Sequence, residues 1–378
     1  MSITTWRNRR NLREYQDEAE VERINRAWIA ACEGAALVRT VDTVTGPTVI
    51  APKIAHVVLG PPTVLTVKLQ PGMVAADVTT LGRRLAPHLG CYGIRVVPRG
   101  IGDWVEVTLL GSDPLAVTVP LAEPVVSVQE SLCLGLGENG QPVTLNLADA
   151  AHLIVQGSTG AGKSIGCYSL LGQLAAAPDV QVTGSDVSGL LLGPWARRPD
   201  HGGRHALGTG DPAAHPALLE ELVAAMDKAI TGIRPGRDSV NLDEHPVTVV
   251  VVEELPGLLR WLDAADKTLA KRARTALARL LAEGRKAGFR VLLVTQRADA
   301  AIVGAYERSQ ASHRLSFRVD TADGLKMLHP DIDMDTAAEH SSAGPGIALL
   351  SAPGASLTRL RAPHMTYADY VRTVEQQA

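Results

Sequence analysis

The residues with the most explicit chemistry are Gly157-Ser158-Thr159-Gly160-Ala161-Gly162-Lys163-Ser164. They fit G-x-x-x-x-G-K-S, the pattern of a phosphate-binding loop. Glycines at this spacing let backbone N–H groups turn inward around phosphate oxygens, and a following helix adds the positive end of its dipole. Lys163 is placed to reach the β- and γ-phosphates of ATP, and the Ser164 hydroxyl to ligate Mg²⁺. The flanking residues supply the required context. His152 to Gln156 is a short apolar run of buried-strand type, and Ile165 to Ala176 reads as a helix stopped by Pro178.

Two more apolar runs end in polar residues. His245 to Glu254 is an uninterrupted β-branched run, as a parallel strand covered on both faces requires, and it closes on Glu253 and Glu254. Acids at the C-terminal tip of a central strand lie where open α/β sheets hold their ligands. One carboxylate would complete the Mg²⁺ shell and the other would orient or deprotonate the attacking water. Phe289 to Arg297 repeats the pattern and ends in Thr295-Gln296-Arg297. Gln296, an amide that both donates and accepts, suits sensing of the γ-phosphate or placing of water. A helix predicted over 264–283 leads into Gly284-Arg285-Lys286-Ala287-Gly288 and carries Lys267, Lys271 and Arg274 on one face, with Arg279 nearby; that face reads equally as solvated surface or DNA contact.

Other motifs carry less. Gly135-Leu136-Gly137-Glu138-Asn139-Gly140 fits a dinucleotide pattern, yet no helix opens after it and Asn-Gly suits a hairpin turn between two short strands. His201-Gly202-Gly203-Arg204-His205 has no acidic or cysteine companions at ligand spacing and reads as a loop. Cys32, Cys91, Cys133 and Cys167 are too scattered for zinc or a disulfide framework, which points to a reducing compartment.

These sites must be positioned by a chain of 378 residues, 46% of them hydrophobic, long enough for two domains. Aromatics at 3% leave a core of Ala, Leu and Val, which favours helices on a parallel sheet. A formal net charge of −3 excludes a basic nucleic-acid coat, and no run is long enough for a membrane span. Three segments are predicted: an amphipathic helix over 1–33, with Leu12, Tyr15, Ile24, Trp28 and Ala31 near helical spacing; a small α+β domain over 34–124 in β-β-α-β-β order; and an α/β motor domain over 125–378. Gly346–Leu350 and Ser356–Leu360 are predicted as edge strands of the last.

The strand-end acids, the Gly284–Gly288 turn and the Thr295-Gln296-Arg297 end together resemble the FtsK/SpoIIIE family of hexameric double-stranded DNA translocases, and within it the short TraB-like plasmid-transfer motors of actinobacterial mobile elements. The resemblance spans about Leu134 to Leu360, with Gly60 through Val97 looking like the family's α subdomain. It implies a RecA-like P-loop NTPase motor domain beside a smaller N-terminal α+β domain, ATP and Mg²⁺ as cofactors, and a hexameric ring around duplex DNA in conjugative transfer. Glu254 matches the catalytic glutamate, Gln296 the sensor, and Arg285 the arginine that completes a neighbour's site. The chain departs from the family in three ways. Glu253 stands where aspartate is usual, which leaves the division of labour between Glu253 and Glu254 open. The membrane-spanning N-terminus is missing, so a cytoplasmic chain would need a membrane or septal partner. No winged-helix reader of DNA sequence follows the last strands. Leu255–Asp266, with Arg260 and Trp261, and Ala298–His313, with Arg308, are the candidate pore segments. The rival function is an ATP-switched coupling or secretion-type ATPase that moves a protein partner.

Overall fold

The computed structural model describes residues 3–44, 46–100, 102–150, 152–198, 204–297 and 304–376; in the first helix, side chains are described from Gln16 onward. The chain divides into two compact units, Met1–Val117 with Asn139–Gln141, and Thr118–Glu138 with Pro142–Ala378.

In the first unit a long helix, Ile3–Gly34, precedes a hairpin of β1 (Arg39–Thr43) and β2 (Gly46–Ile50). A four-stranded antiparallel sheet follows, formed by β3 (Lys53–Val58), β4 (Thr63–Lys68), β5 (Gly93–Pro98) and β6 (Trp104–Leu110) in the order β3-β4-β6-β5. Its period-2 alternation sends Leu65, Val67, Val105, Val107 and Leu109 to one face. Ile24, Trp28, Ala31 and Cys32 of the long helix share that core, and the Trp28 indole donates to Pro52 O at 2.7 Å. The single helix expected between the two strand pairs is three short turns, Ala75–Thr80, Gly82–Leu85 and Ala86–Leu89. Gly82 and Pro87 fall at or near its interruptions, one weakening a helix and the other lacking an N–H to continue it.

The second unit is α/β. Its strands are β7 (Ser131–Gly137), β8 (Pro142–Asn146), β9 (Leu153–Gln156), β10 (Val180–Asp186), β11 (His205–Leu207), β12 (Val247–Glu253), β13 (Phe289–Thr295), β14 (His313–Phe317), β15 (Ile347–Ser351) and β16 (Thr358–Arg361). They form one sheet in the order β11-β10-β12-β13-β9-β14-β15-β16-β7-β8. The first six in that order are parallel and the remaining pairings antiparallel. Along β12, Val249 and Val251 join the core on one face with Leu171, Trp195 and Tyr370. Val250 and Val252 join the other, with Leu219, Met226, Leu258 and Leu277. A strand covered on both faces has no use for a polar alternation, which is why β12 reads as a continuous apolar run.

Two expectations are corrected. The helix expected over 264–283 is Lys267–Glu283, and a separate helix, Leu255–Ala265, precedes it. The break is Asp266, which takes extended dihedrals and accepts the Thr268 N–H at 2.8 Å as an N-cap. β15 and β16 are not edge strands: they lie between β14 and β7, and β8 forms that margin of the sheet. The Asn139-Gly140 turn does join two paired strands, β7 and β8, with Gly140 at φ +72°.

Candidate functional site

The loop from Gly157 leaves the C-terminal end of β9 and enters the helix Lys163–Gly172, for which Gly162 is the N-cap at φ +98°. A side chain at Gly162 would be strained by that φ, and its Cβ would lie 2.6 Å from Gly346 N. The loop is seated by its neighbours: Gly346 N–H donates to Ala161 O at 2.9 Å, and the Ser158 N–H and hydroxyl both donate to Arg318 O, at 2.9 and 3.0 Å. Its outer surface faces a cleft of about 680 Å³ lined by Ser158, Thr159, Gly160, Gly162, Lys163 and Ser164 on one side and by Glu253, Glu254 and Gln296 on another. Ala161 is fully buried beneath the loop and Gly157 sits at its start, so both shape the loop without lining the cleft.

The carboxylates come from adjacent strand tips. Glu253, the last residue of β12, is in register with Asp186 at the end of β10 and with Val294 of β13. Burial, then the charges of Asp186 and Glu254, push the Glu253 carboxyl up to about 7, with Lys163 pulling the other way. Such a tip favours a bound cation, because a positive charge there relieves the repulsion among the acids. Ser164 and Glu253, an oxygen pair lining one cleft, fit the hard-oxygen preference of Mg²⁺.

Glu254 does not continue the strand. It takes left-handed dihedrals, φ 48° and ψ 53°, as the N-cap of the helix Leu255–Ala265. A non-glycine residue held there costs of order 1–3 kcal/mol and persists where the surroundings impose it. The turn throws its side chain across the cleft, where Oε2 lies 3.5 Å from Lys163 Nζ.

The remaining predicted residues separate. Gln296 follows β13 directly, is exposed, and lines the cleft. Arg285 does not join them. It is exposed on the 3₁₀ turn Gly284–Ala287, before the start of β13 and at the opposite end of the sheet. A seven-residue strand rises roughly 20 Å, several times the reach of an arginine side chain. Arg285 therefore cannot serve the cleft of its own chain.

The pore candidates also change. Leu255–Asp266 is largely the helix capped by Glu254. Its Trp261 lines the cleft and meets the His215 ring edge-on, centroids 5.3 Å apart, while Arg260 is exposed. Of Ala298–His313, residues 298–303 lie outside the described ones; Ala305–Gln310 is helical and Arg308 O accepts from Arg314 Nη2 at 3.1 Å. His201–Gly203 also lie outside. On the basic face of Lys267–Glu283, Arg279 is held by both oxygens of Asp227, at 3.0 and 2.7 Å, and by Glu283 at 3.2 Å.

Sequence reading missed Asp186. It is fully buried; Oδ1 accepts from the Ser188 N–H and hydroxyl and the Gly189 N–H, and Oδ2 from the Leu191 and Leu192 N–H groups. Those bonds fold the segment that brings Val187 and Ser188 to the cleft. The available signal was Ser-Asp at the end of Val180–Asp186, where polar residues and Gly184 interrupt the apolar run. It missed His215 too, whose ring bonds Ser185 Oγ at 2.7 Å and Gly208 O at 3.0 Å beside Thr209, another lining residue.

With this geometry in place, the chain can be set beside known proteins. The FtsK/SpoIIIE family model matches residues 121–235. The transfer protein TraSA of Streptomyces ambofaciens is 29% identical over 347 residues, covering 83% of this chain and 79% of that protein. The DNA translocase FtsK of Helicobacter pylori strain 26695 is 26% identical over 341 residues, which are 79% of this chain; the chain spans 37% of that protein's length. Among solved structures, the pCW3 conjugation coupling protein TcpA in its monomer form with ATPγS aligns with a TM-score of 0.57 at 15% identity, over 92% of this chain and 99% of that one. The cytoplasmic domain of the Thermomonospora curvata type VII secretion ATPase EccC aligns at 0.52 and 19%, over 70% of this chain and 33% of that one. Both share the P-loop ATPase fold found here. Phosphate loop, strand-end glutamates and the comparisons agree on a P-loop ATPase fold, in which residues 121–235 match the FtsK/SpoIIIE family model.

Proposed function

We propose that this chain is an ATP-driven translocase for double-stranded DNA, working as a ring of copies, hexameric in the simplest case, in conjugative transfer of a plasmid or integrative element. The observation that carries this reading is the cleft itself. It has the phosphate loop, two glutamates and an amide, but among the described residues Lys163 is its only cationic lining residue, while Arg285 stands exposed at the far end of the same sheet. A site completed from a second copy is what a head-to-tail ring supplies.

In this mechanism the N–H groups of 158–164 and the Lys163 ammonium bind the phosphates of ATP, and Ser164 and Glu253 are the residues that would hold Mg²⁺. Bound there, the ion would supply charge neutralisation to the phosphates during transfer. Phosphate oxygens compete with Glu254 for Lys163, and the released carboxylate orients and deprotonates the attacking water from its position beside the strand tip. Gln296 hydrogen-bonds at the γ-phosphate end. Arg285 of the adjacent copy stabilises the charge that develops during phosphoryl transfer.

DNA as the moved substrate is supported by the relatives named as DNA translocases and by a relative named as a transfer protein. No helix among the described residues is long and apolar enough to cross a membrane; the setting we propose is cytoplasmic, with recruitment to the membrane or septum by a partner protein. The fold shared with the secretion ATPase EccC supports a second reading, a motor for protein. One assay separates them. ATP hydrolysis is measured with duplex DNA across a salt series, and with no DNA. The translocase reading expects stimulation by duplexes of unrelated sequence that weakens steeply as salt rises, because phosphate contacts release counterions. Hydrolysis indifferent to DNA at every salt concentration overturns it.

A further inference from the structure

Arg290, the second residue of β13, is only 4% exposed. No described carboxylate forms an ion pair with it. Its guanidinium is instead spent on carbonyls: Nε donates to Leu147 O at 2.6 Å, Nη2 to Ala148 O at 3.0 Å, and Nη1 to Phe289 O at 3.1 Å and Arg285 O at 3.3 Å. Two chain segments meet at this group. One is the connection from β8 to β9; the other is the Gly284–Gly288 turn that carries Arg285. A planar fork of five donors can bridge two backbone segments, which a single ammonium cannot do equally well. The turn also continues the helix Lys267–Glu283, so the cation sits among carbonyls at the negative end of a helix dipole. Burial, followed by the like charge of Arg285, pulls the Arg290 guanidinium down to about 10, so it remains a cation at neutral pH.

His152 reinforces the same base. Its Nδ1 accepts the Val291 N–H at 3.0 Å, and a Cβ on Gly284 would come within 3.1 Å of Phe289 Cβ and 3.6 Å of His152 Cε1. The turn is thus pinned from below by side chains, while Arg285 projects outward with no side-chain hydrogen bond or ion pair among the described residues.

We propose that Arg290 is a positioning residue for Arg285: by clamping the Gly284–Gly288 turn to the β8–β9 connection, it sets the direction in which Arg285 is presented to the next copy. This rests on the reading of Arg285 given above, and the two can fail separately. The test is DNA-stimulated ATP hydrolysis by the full chain carrying Arg285→Ala, Arg290→Lys, or both. Loss of Arg285 should lower kcat by about 10³-fold. Arg290→Lys, which leaves the turn loosely held, should lower kcat by about 10–100-fold with the KM for ATP little changed, because a misplacement near 1 Å carries that penalty. The double variant should be no slower than Arg285→Ala alone, as expected of a residue that acts only through another. If the single Arg290→Lys variant keeps full kcat, or if the two losses multiply, the positioning role is overturned while that of Arg285 stands. If Arg285→Ala itself keeps full kcat, both are overturned. ATPγS affinity serves as the check of folding. Should Arg290→Lys fail it, Arg290→Gln, which retains two donors, is read in its place.

Discussion

The two ends of the parallel sheet are built on opposite principles. At the cleft end, Asp186, Glu253 and Glu254 crowd neighbouring strand tips, with Lys163 as the cation among them. At the other end, Arg285 and Arg290 lie close together, and Arg290 is satisfied by carbonyls rather than by acids. One end is acidic and left with unspent capacity for ligands; the other is cationic and either fully bonded or offered outward. In the proposed head-to-tail arrangement an Arg285 would stand against such acids, so that the polarity of one sheet would supply both halves of a junction.

The largest effect should come from removing the group that acts on water. Glu254→Gln is expected to lower kcat by about 10²–10⁴-fold while ATP binding persists, measured by steady-state hydrolysis beside ATPγS titration. Loss of binding instead would mean that Glu254 belongs to the nucleotide pocket and not to the chemistry.

Next comes Asp186, which separates structure from catalysis at the cleft end. Asp186→Ala strands five buried or half-buried donors and should cost roughly 3 kcal/mol or more in denaturant unfolding. A variant of native stability would show that the 187–192 segment folds without it.

The third prediction uses pH, to which the two ends respond in opposite senses. Glu253 is raised to about 7, so the folded state holds a proton there that the unfolded state releases near pH 4.5; its contribution weakens stability as pH climbs through that window. His152 is lowered to about 4 by burial and by Arg290, so its contribution is lost as pH falls from about 6.5 towards 4. In chelator, Glu253→Gln should therefore stabilise the protein by about 1–3 kcal/mol at pH 8 and by almost nothing at pH 4.5. A gain independent of pH would contradict the charge crowding assigned to that tip.

The smallest effect is expected at the surface. Arg279→Ala breaks the contacts with Asp227 and Glu283, all solvent-facing, and should leave Tm almost unmoved and DNA stimulation unchanged. Loss of DNA stimulation would restore this helix face as a DNA contact.

The comparison also shows what the sequence made legible. The phosphate loop and the Glu253 tip of β12 are contiguous patterns whose chemistry depends on neighbours in the chain, and both line the one cleft. Gln296 reached the same cleft because a buried strand delivers its last residue to the sheet's ligand end. What depended on distant pairing was hidden. Asp186 bears on the cleft only because β10 lies beside β12, a fact of sheet order that its own strand does not announce. β15 and β16 look like edge strands by position near the end of the chain, yet β7, from far upstream, covers them. Glu254 was read as strand; its left-handed turn, which aims it at Lys163, is set by the helix starting at Leu255. The Trp261 assigned to a pore packs on His215, a contact across some 46 residues of sequence.

The central claim is that an active junction needs the cleft of one copy and Arg285 of another. It is tested most directly by mixing Lys163→Ala protein, which has no working cleft, with Arg285→Ala protein, which has no arginine to lend. Each alone should be inactive. In mixed rings about a quarter of the junctions regain both groups, so hydrolysis should reappear on mixing and scale with the product of the two fractions. Absence of any recovery, in assemblies shown by differently tagged copies to be mixed, would contradict the account.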